Sequence, residues 1–421
     1  MAGINSSWKK LKYSIKKKGI IKTFKKLFGE IFYLIAKPVL SIYFRIQKTN
    51  DHSIIFVSNP DFGDNSLYLS NFILSKREFR SYHITWLVEN PDIYKEAYKK
   101  ICFIKHFSSW HSGLTIKAKK ALYQSKYIFF THSSPMAGIK RNKSQIIINL
   151  WHGCGYKDIK STDNWKAKNP FDYALVPGKV FIDTKSHFWN CNKNQILPIG
   201  YPRYDEFKNV KLDTIDMFKK LKGDAEKVII WMPTYRKTEK NQFAVSKIKG
   251  FFEIPILNSV EMLKELDDYC TAKKIKILIK RHQYQIDYKS SHVKLKSIVF
   301  IDDTVFNKAN ASLYGFLTCV DALITDYSSI AIDFMLLDKP IGFTLDDFNA
   351  YKNTQGFVFE NPLDYMPGNH IYSYEEILTF IDEVACDKDP YMNKRHDLMS
   401  EVHNPCDNYS ERICRKIFRT E

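Results

Sequence analysis

What most constrains this chain is a repeated alternation. Short runs rich in β-branched and aromatic residues recur from residue 53 to residue 344, with helical patterns in the intervals. The first series is SIIFVS (53–58), YHITWLV (82–88), KYIFFT (126–131), QIIINL (145–150) and YALVPG (173–178). The second is KVIIWMP (227–233), KIKILIK (274–280), SIVFID (297–302), DALIT (321–325) and PIGFT (340–344). Apolar strands separated by helices specify parallel sheets covered on both faces. Two such series predict two doubly wound α/β domains. A length of 421 residues agrees with two domains, and 44% hydrophobic with 15% aromatic residues supply a core for each.

The chain-order boundary falls in LPIGYPRYDEF (197–207), where one Gly and two Pro interrupt the periodicity ahead of a lysine-rich helix. This predicts a basic segment over 1–48, an N-terminal domain over 50–205, a C-terminal domain over 206–385 and helices over 386–421.

Charge is unevenly placed. The formal net charge is +18, and residues 1–48 hold eleven lysines, Arg45 and one acidic residue, Glu30, a formal +11 that leaves +7 for the remainder. In residues 8–28, Trp8, Leu11, Ile15, Ile20, Ile21, Phe24, Leu27 and Phe28 recur mostly at three- and four-residue steps, the pattern of a basic amphipathic helix. The following run, 31–44, is apolar but interrupted by Lys37 and Pro38. It is shorter than the about 20 apolar residues a spanning helix needs, and no small-residue cleavage site follows it. The segment reads as an in-plane anchor, with Lys9, Lys10, Lys16, Lys17, Lys18, Lys25 and Lys26 on anionic headgroups. A solvated helix packed on the protein's own body is the alternative. Nucleic acid is set aside, because the chain has few marks of an RNA- or DNA-reading fold. The eight cysteines are scattered with no CxxC pair, which argues against a zinc ribbon or disulfide scaffold and for a reducing compartment.

In open α/β sheets ligands sit beyond the carboxyl ends of strands, and four such loops carry polar chemistry here. Leu150-Trp151-His152-Gly153 puts an imidazole after a strand, able to take a proton from a hydroxyl nucleophile; a hydrogen-bonded structural histidine is the other reading. Cys154 beside it is a weaker nucleophile candidate. Met232-Pro233-Thr234-Tyr235-Arg236 and Lys280-Arg281-His282-Gln283 offer donors for an anion, or else a solvated surface. Thr325-Asp326-Tyr327-Ser328-Ser329 reads as strand, capping turn and helix, a place for a phosphate or plain capping. Three anion-friendly strand ends in one sheet favour the ligand reading. Asp302-Asp303 and Asp346-Asp347 are candidate Mg²⁺ ligands, or solvated acids. There is no Walker A, GxGxxG, HExxH or GxSxG motif.

Together these residues resemble the CDP-glycerol glycerophosphotransferase family, the teichoic-acid primases and polymerases of bacterial cell walls. The resemblance is carried by NLWHGCGYK (149–157), IGYPRYD (199–205), MPTYR (232–236), KRH (280–282) and above all DALITDYSSIAIDFMLLDKPIGF (321–343), with Asp347, Tyr351 and GFVFENPLDYMPG (356–368) following. Two departures stand out. Cys154-Gly155 replaces the more usual Thr-Pro, and Gln283 stands where Pro is usual.

The resemblance implies a GT-B fold, two Rossmann-like domains facing a cleft. It implies transfer of glycerol phosphate from CDP-glycerol to a hydroxyl of a lipid-linked acceptor, with CMP leaving, at the cytoplasmic face of the bacterial membrane. His152, on the N-terminal domain, is then the general base. Arg281, His282, Ser328 and Ser329 neutralise the donor pyrophosphate with Arg236 assisting. Thr325 and Asp326 belong to the same donor loop, Asp326 orienting it. No cofactor is implied, and Mg²⁺ dependence stays open. So do CDP-ribitol as donor, a capsule polymer as product, and a nucleotide-sugar glycosyltransferase of the same fold.

Overall fold

The computed structural model describes residues 20–108, 113–137, 139–158, 170–234, 254–280 and 294–418. By contact density the chain divides into two compact units. One is Met1–Trp151 with Lys166–Ala174, and the other is His152–Trp165 with Leu175–Glu421.

Among its described residues the first unit has helix α1 (Ile20–Arg45), β1 (Asn50–Val57), α2 (Asp64–Ser75), β2 (His83–Val88), β3 (Cys102–Lys105), α3 (Ile116–Gln124), β4 (Ser125–Phe130), β5 (Ile146–Asn149) and β6 (Tyr173–Leu175). Its strands lie in the order β3-β2-β1-β4-β5-β6. Every pairing from β3 to β6 is parallel. Ile54, Ile55 and Phe56 of β1 and Ile128, Phe129 and Phe130 of β4 are all fully buried, as a sheet covered on both faces requires.

Helix α1 runs unbroken through Lys37 and Pro38, where the sequence had placed an interruption. A proline inside a helix forfeits one backbone hydrogen bond, and this 26-residue helix absorbs that loss. Phe44 anchors it, 4% exposed and stacked on Tyr123 of α3 at 5.4 Å.

The second unit contains α4 (Phe181–Trp189), β7 (Ile196–Leu197), α5 (Leu212–Lys222), β8 (Lys227–Met232), α6 (Val260–Ala272), β9 (Ile275–Lys280), β10 (Ile298–Ile301), α7 (Asp303–Lys308), α8 (Leu313–Leu317), β11 (Ala322–Thr325), α9 (Ser329–Phe334), β12 (Ile341–Thr344), α10 (Phe348–Thr354), β13 (Asn369–Ile371), α11 (Tyr374–Ala385), α12 (Met392–Val402) and α13 (Tyr409–Phe418). Its sheet repeats the same topology, β10-β9-β8-β11-β12-β13, again parallel throughout. One face of this sheet, with Ile229, Trp231, Ile277, Ile279 and Ile324, packs with Leu263 and Leu266 of α6 and Phe380 and Ile381 of α11 into a hydrophobic core.

All ten predicted strands are present. Among the described residues three more strands were not predicted: β3, β7 and β13 are short and carry too few apolar residues to show a period. Residues 175–205, which chain order assigned to the first domain, are tied to the C-terminal helices. The Asn404 N–H donates to the Pro177 carbonyl (3.1 Å), the Val180 N–H to that of Glu401 (3.1 Å), and Asp205 accepts from the N–H groups of Tyr409 (2.6 Å) and Ser410 (2.9 Å). Helices α12 and α13 therefore pack within the second unit. A buried Arg395 reinforces α12, bonding Asp338 and Asp389.

Candidate active site

In the second sheet the strand order reverses between β8 and β11, the switch point where open α/β sheets take their ligands. Both loops there belong to the motifs singled out in the sequence. Thr325 and Asp326 are fully buried. The Thr325 hydroxyl donates to the Met232 carbonyl (2.7 Å), and the Thr325 carbonyl accepts from the Thr344 hydroxyl (3.1 Å). Asp326 accepts the Thr234 N–H on both carboxylate oxygens (3.0 Å each) and the Thr234 hydroxyl on one of them. These two side chains thus brace the switch point and fix where the next residues emerge. Ser328 caps α9, accepting from the Ile330 N–H (3.4 Å). Ser328 and Ser329 are half-buried, whereas Ile330 to Phe334 are buried. Tyr327 turns away, donating to Asp347 (3.0 Å) and lying 4.0 Å from the Tyr351 ring.

The histidine segment reaches the same loop. Within the first unit, β5 ends at Asn149, whose side-chain oxygen accepts from the Trp151 N–H (2.9 Å), and the Asn65 amide donates to the Trp151 carbonyl (2.8 Å). Trp151 has φ +54° and Gly153 φ +135°, so the backbone around His152 occupies left-handed conformations that need external support. Within the second unit that support is continuous. Arg203 Nη1 donates to the His152 carbonyl (2.9 Å). A Cβ on Gly153 would lie 2.8 Å from Ser329 Oγ, and one on Gly155 2.9 Å from the Ser329 nitrogen. Val358 N–H donates to the Tyr156 carbonyl (2.8 Å), Tyr156 hydroxyl to the Tyr365 carbonyl (2.9 Å), and Lys157 bridges Phe357. The unit division therefore falls between Trp151 and His152. His152 is grouped with the second unit, not with the N-terminal domain where chain order had put it. Within the second unit the structure thus brings Gly153 and Gly155 against Ser329 of the TDYSS motif.

Sequence reasoning missed the group beneath them. Asp333 is fully buried and accepts from Arg203 Nη2 (2.6 Å), from the Tyr314 hydroxyl (2.6 Å) and from the Tyr204 hydroxyl. The guanidinium lies 4.8 Å from the Tyr314 ring centre and 5.0 Å from that of Tyr201. Burial above all, then the Asp333 charge, holds the Tyr204 phenol well above its usual range, so it stays a donor. His403, 2% exposed, is pushed down to about 4 by burial and is neutral; its Nε2 lies 2.7 Å from the Ile332 carbonyl and carries the proton. Arg203 and Asp333 both stand inside motifs already quoted. The available signal was a carboxylate on the short apolar helix SIAIDF, which has to find a partner when buried.

Cys154 is buried 3.2 Å from the Tyr201 hydroxyl, and burial pushes its thiol up, so it has no thiolate with which to act as a nucleophile. Arg236, Arg281 and His282 lie outside the described residues, as do Lys9, Lys10, Lys16, Lys17, Lys18 and the side chain of Lys25. Lys280, the last described residue before Arg281, pairs with Asp303 (2.7 Å). Asp302 caps α7 through the Thr304 N–H (2.9 Å). Among the described residues no cluster of three or more His, Cys, Asp or Glu side chains is set to hold a metal.

Lys26 is half-buried. On α1, Phe28, Ile31, Ile35, Val39, Ile42 and Ile46 at its end recur at three- and four-residue steps, each between 51% and 73% exposed. Among the described residues no helix is long and apolar enough to cross a membrane.

The family model described as CDP-glycerol:poly(glycerophosphate) glycerophosphotransferase matches residues 39–419. The chain is 26% identical over 285 residues to a teichoic acid glycerol-phosphate primase of Bacillus subtilis, covering 63% of this chain and 67% of the primase. It is 28% identical over 385 residues to a teichoic acid poly(glycerol phosphate) polymerase of Staphylococcus epidermidis, covering 84% of this chain and only 48% of the polymerase. A solved structure of the wall teichoic acid polymerase TagF superposes with a TM-score of 0.66 at 22% identity, covering 94% of this chain and 97% of that one.

Proposed function

Because the chain belongs to the CDP-glycerol:poly(glycerophosphate) glycerophosphotransferase family, we propose that it transfers glycerol phosphate from CDP-glycerol to a hydroxyl of a lipid-linked acceptor in teichoic-acid synthesis. The observation that carries this reading is the approach of Gly153 and Gly155 to Ser329, which joins the candidate base to the capping turn at the second sheet's switch point.

In this proposal His152 takes the proton of the acceptor hydroxyl. The oxygen attacks the phosphorus that bears glycerol, a new P–O bond forms, and the bond from that phosphorus to the bridging oxygen breaks. CMP departs with that oxygen. Phosphoryl transfer of this kind needs alignment and charge stabilisation more than covalent help from the protein. Ser328 and Ser329 supply hydroxyl and backbone donors for the leaving phosphate. Arg236, Arg281 and His282 supply charge, a role supported by their motif match. Thr325 and Asp326 act indirectly, by bracing the loop. The GT-B arrangement belongs to the proposal and is supported by the 3-2-1-4-5-6 order that the first six strands of the seven-stranded sheet share with the six-stranded sheet.

The acceptor's lipid calls for a peripheral membrane enzyme. The exposed apolar stripe of α1 supports this, together with the +11 of residues 1–48. It lies mostly C-terminal to the 8–28 pattern, in the stretch that contains Lys37 and Pro38.

The deciding experiment is a donor screen by CMP release, with a lipid-linked saccharide acceptor and CDP-glycerol, CDP-ribitol or UDP-sugars. Turnover with CDP-glycerol and CMP as product is the expected result. Release of a nucleoside diphosphate from a UDP-sugar would replace the proposal with a glycosyltransferase, and a preference for CDP-ribitol would change the alditol alone.

A further inference from the structure

We propose that Arg203 is a positioning residue for the transfer step. Its guanidinium holds the His152 backbone in register with the Ser328–Ser329 turn, and Asp333 serves to hold Arg203. The inference rests on the reading of His152 as the general base.

The bonding is divided in a telling way. A guanidinium facing a carboxylate ordinarily forms two parallel hydrogen bonds. Here Nη2 goes to Asp333 (2.6 Å) while Nη1 goes to the His152 carbonyl (2.9 Å). Asp333 completes its coordination with the hydroxyls of Tyr314 and Tyr204. Arg203 is 4% exposed and Asp333 fully buried.

Stability alone does not call for such a pair. An apolar replacement of similar volume holds a core at least as well, because the desolvation of two charges offsets their attraction. What an apolar pair cannot do is bond one chosen carbonyl. That carbonyl sits between two residues of positive φ, Trp151 and Gly153, where the backbone keeps its course only if its surroundings enforce it.

Helix α9 links the two sides of the site. Asp333 follows Ser329 by four residues in α9, so the two lie on one face, one turn apart. The short helix that presents the serines therefore also anchors the arginine that sets the histidine. Base and phosphate-side donors are keyed to a single element, and a misplacement on the order of 1 Å between such groups costs about 10²-fold in rate.

The test compares Arg203→Lys with Arg395→Lys by CMP release and thermal melting. Arg395 is another fully buried arginine of the same unit, bonded to Asp338 and Asp389 and remote in bonding from His152. Both variants should melt earlier. Arg203→Lys should lose about 10²-fold in kcat with the KM for CDP-glycerol little changed, while Arg395→Lys keeps its kcat. In a His152→Ala background Arg203→Lys should add no further loss, because its effect passes through that residue. Should Arg203→Lys fail to fold, Asp333→Asn takes its place. Wild-type kcat in the folded variant, or an equal fall in Arg395→Lys, overturns the proposal. Full turnover in His152→Ala overturns the base assignment instead, whatever Arg203 does.

Discussion

Gly155 lies so close to Ser329 that a Cβ on residue 155 would stand 2.9 Å from the Ser329 nitrogen and 3.0 Å from its Cα. The obstacle is backbone, which cannot swing aside as a long side chain can. Two segments of the second unit, the one that carries His152 and the capping turn, are thereby held in contact by the absence of a single methyl group.

Gly155→Ala is accordingly expected to push the histidine segment off the capping turn. Overpacking of this kind costs about 1–3 kcal/mol, and turnover should fall by more than the stability loss explains. Thermal melting paired with CMP release measures both. Unchanged values of each would show that the segment has room to move.

His152→Ala should leave the fold intact, because the contacts of residue 152 with Arg203 run through its carbonyl. Loss of a general base lowers rate by about 10²- to 10⁴-fold. A variant with native melting and full CMP release would end the base assignment.

Stability should decline in mild acid. His403 has its folded pKa lowered from 6.5 to about 4 by burial, so as pH falls the unfolded chain takes up the proton before the native protein does. Its contribution is fully present above pH 6.5 and is lost progressively down to about pH 4, amounting to about 3 kcal/mol. His106 in the first unit, likewise lowered to about 4 by burial, acts in the same direction. Urea unfolding at pH 7 and pH 5 tests this, and His403→Gln, which keeps a donor for the Ile332 carbonyl, should show a flatter pH dependence.

Membrane binding should depend on the exposed stripe of α1. Burying one large apolar side chain is worth about 1.5–3 kcal/mol, so Ile35→Glu with Val39→Glu should weaken binding to phosphatidylglycerol vesicles by about 10²-fold or more. Co-sedimentation should also weaken with salt, because lysines contribute. Undiminished sedimentation of the double variant would mean that the stripe faces something else.

Much of the fold was legible in one dimension. All ten anticipated strands form, because consecutive apolar residues bounded by turn signals encode a buried parallel strand locally. The polar strand ends at 152, 234, 280 and 325–329 were legible for the same reason, since a ligand loop follows a strand in the chain itself. The three missed strands are two to four residues long, too short to carry a period. Pro38 misled because its local cost is real, while its net effect depends on the rest of a long helix.

The sequence by itself determined the elements, their order, the uneven charge and the motif residues, all properties written in neighbours along the chain. Only the tertiary structure decided that His152 is grouped with the second unit, that residues 175–205 belong with the C-terminal helices, and that Arg203 divides its guanidinium between Asp333 and the His152 carbonyl. Those outcomes come from pairing a buried charge and from fitting a glycine against a distant backbone. Such interactions join residues more than a hundred positions apart, and their strength depends on desolvation and close packing that no local pattern records.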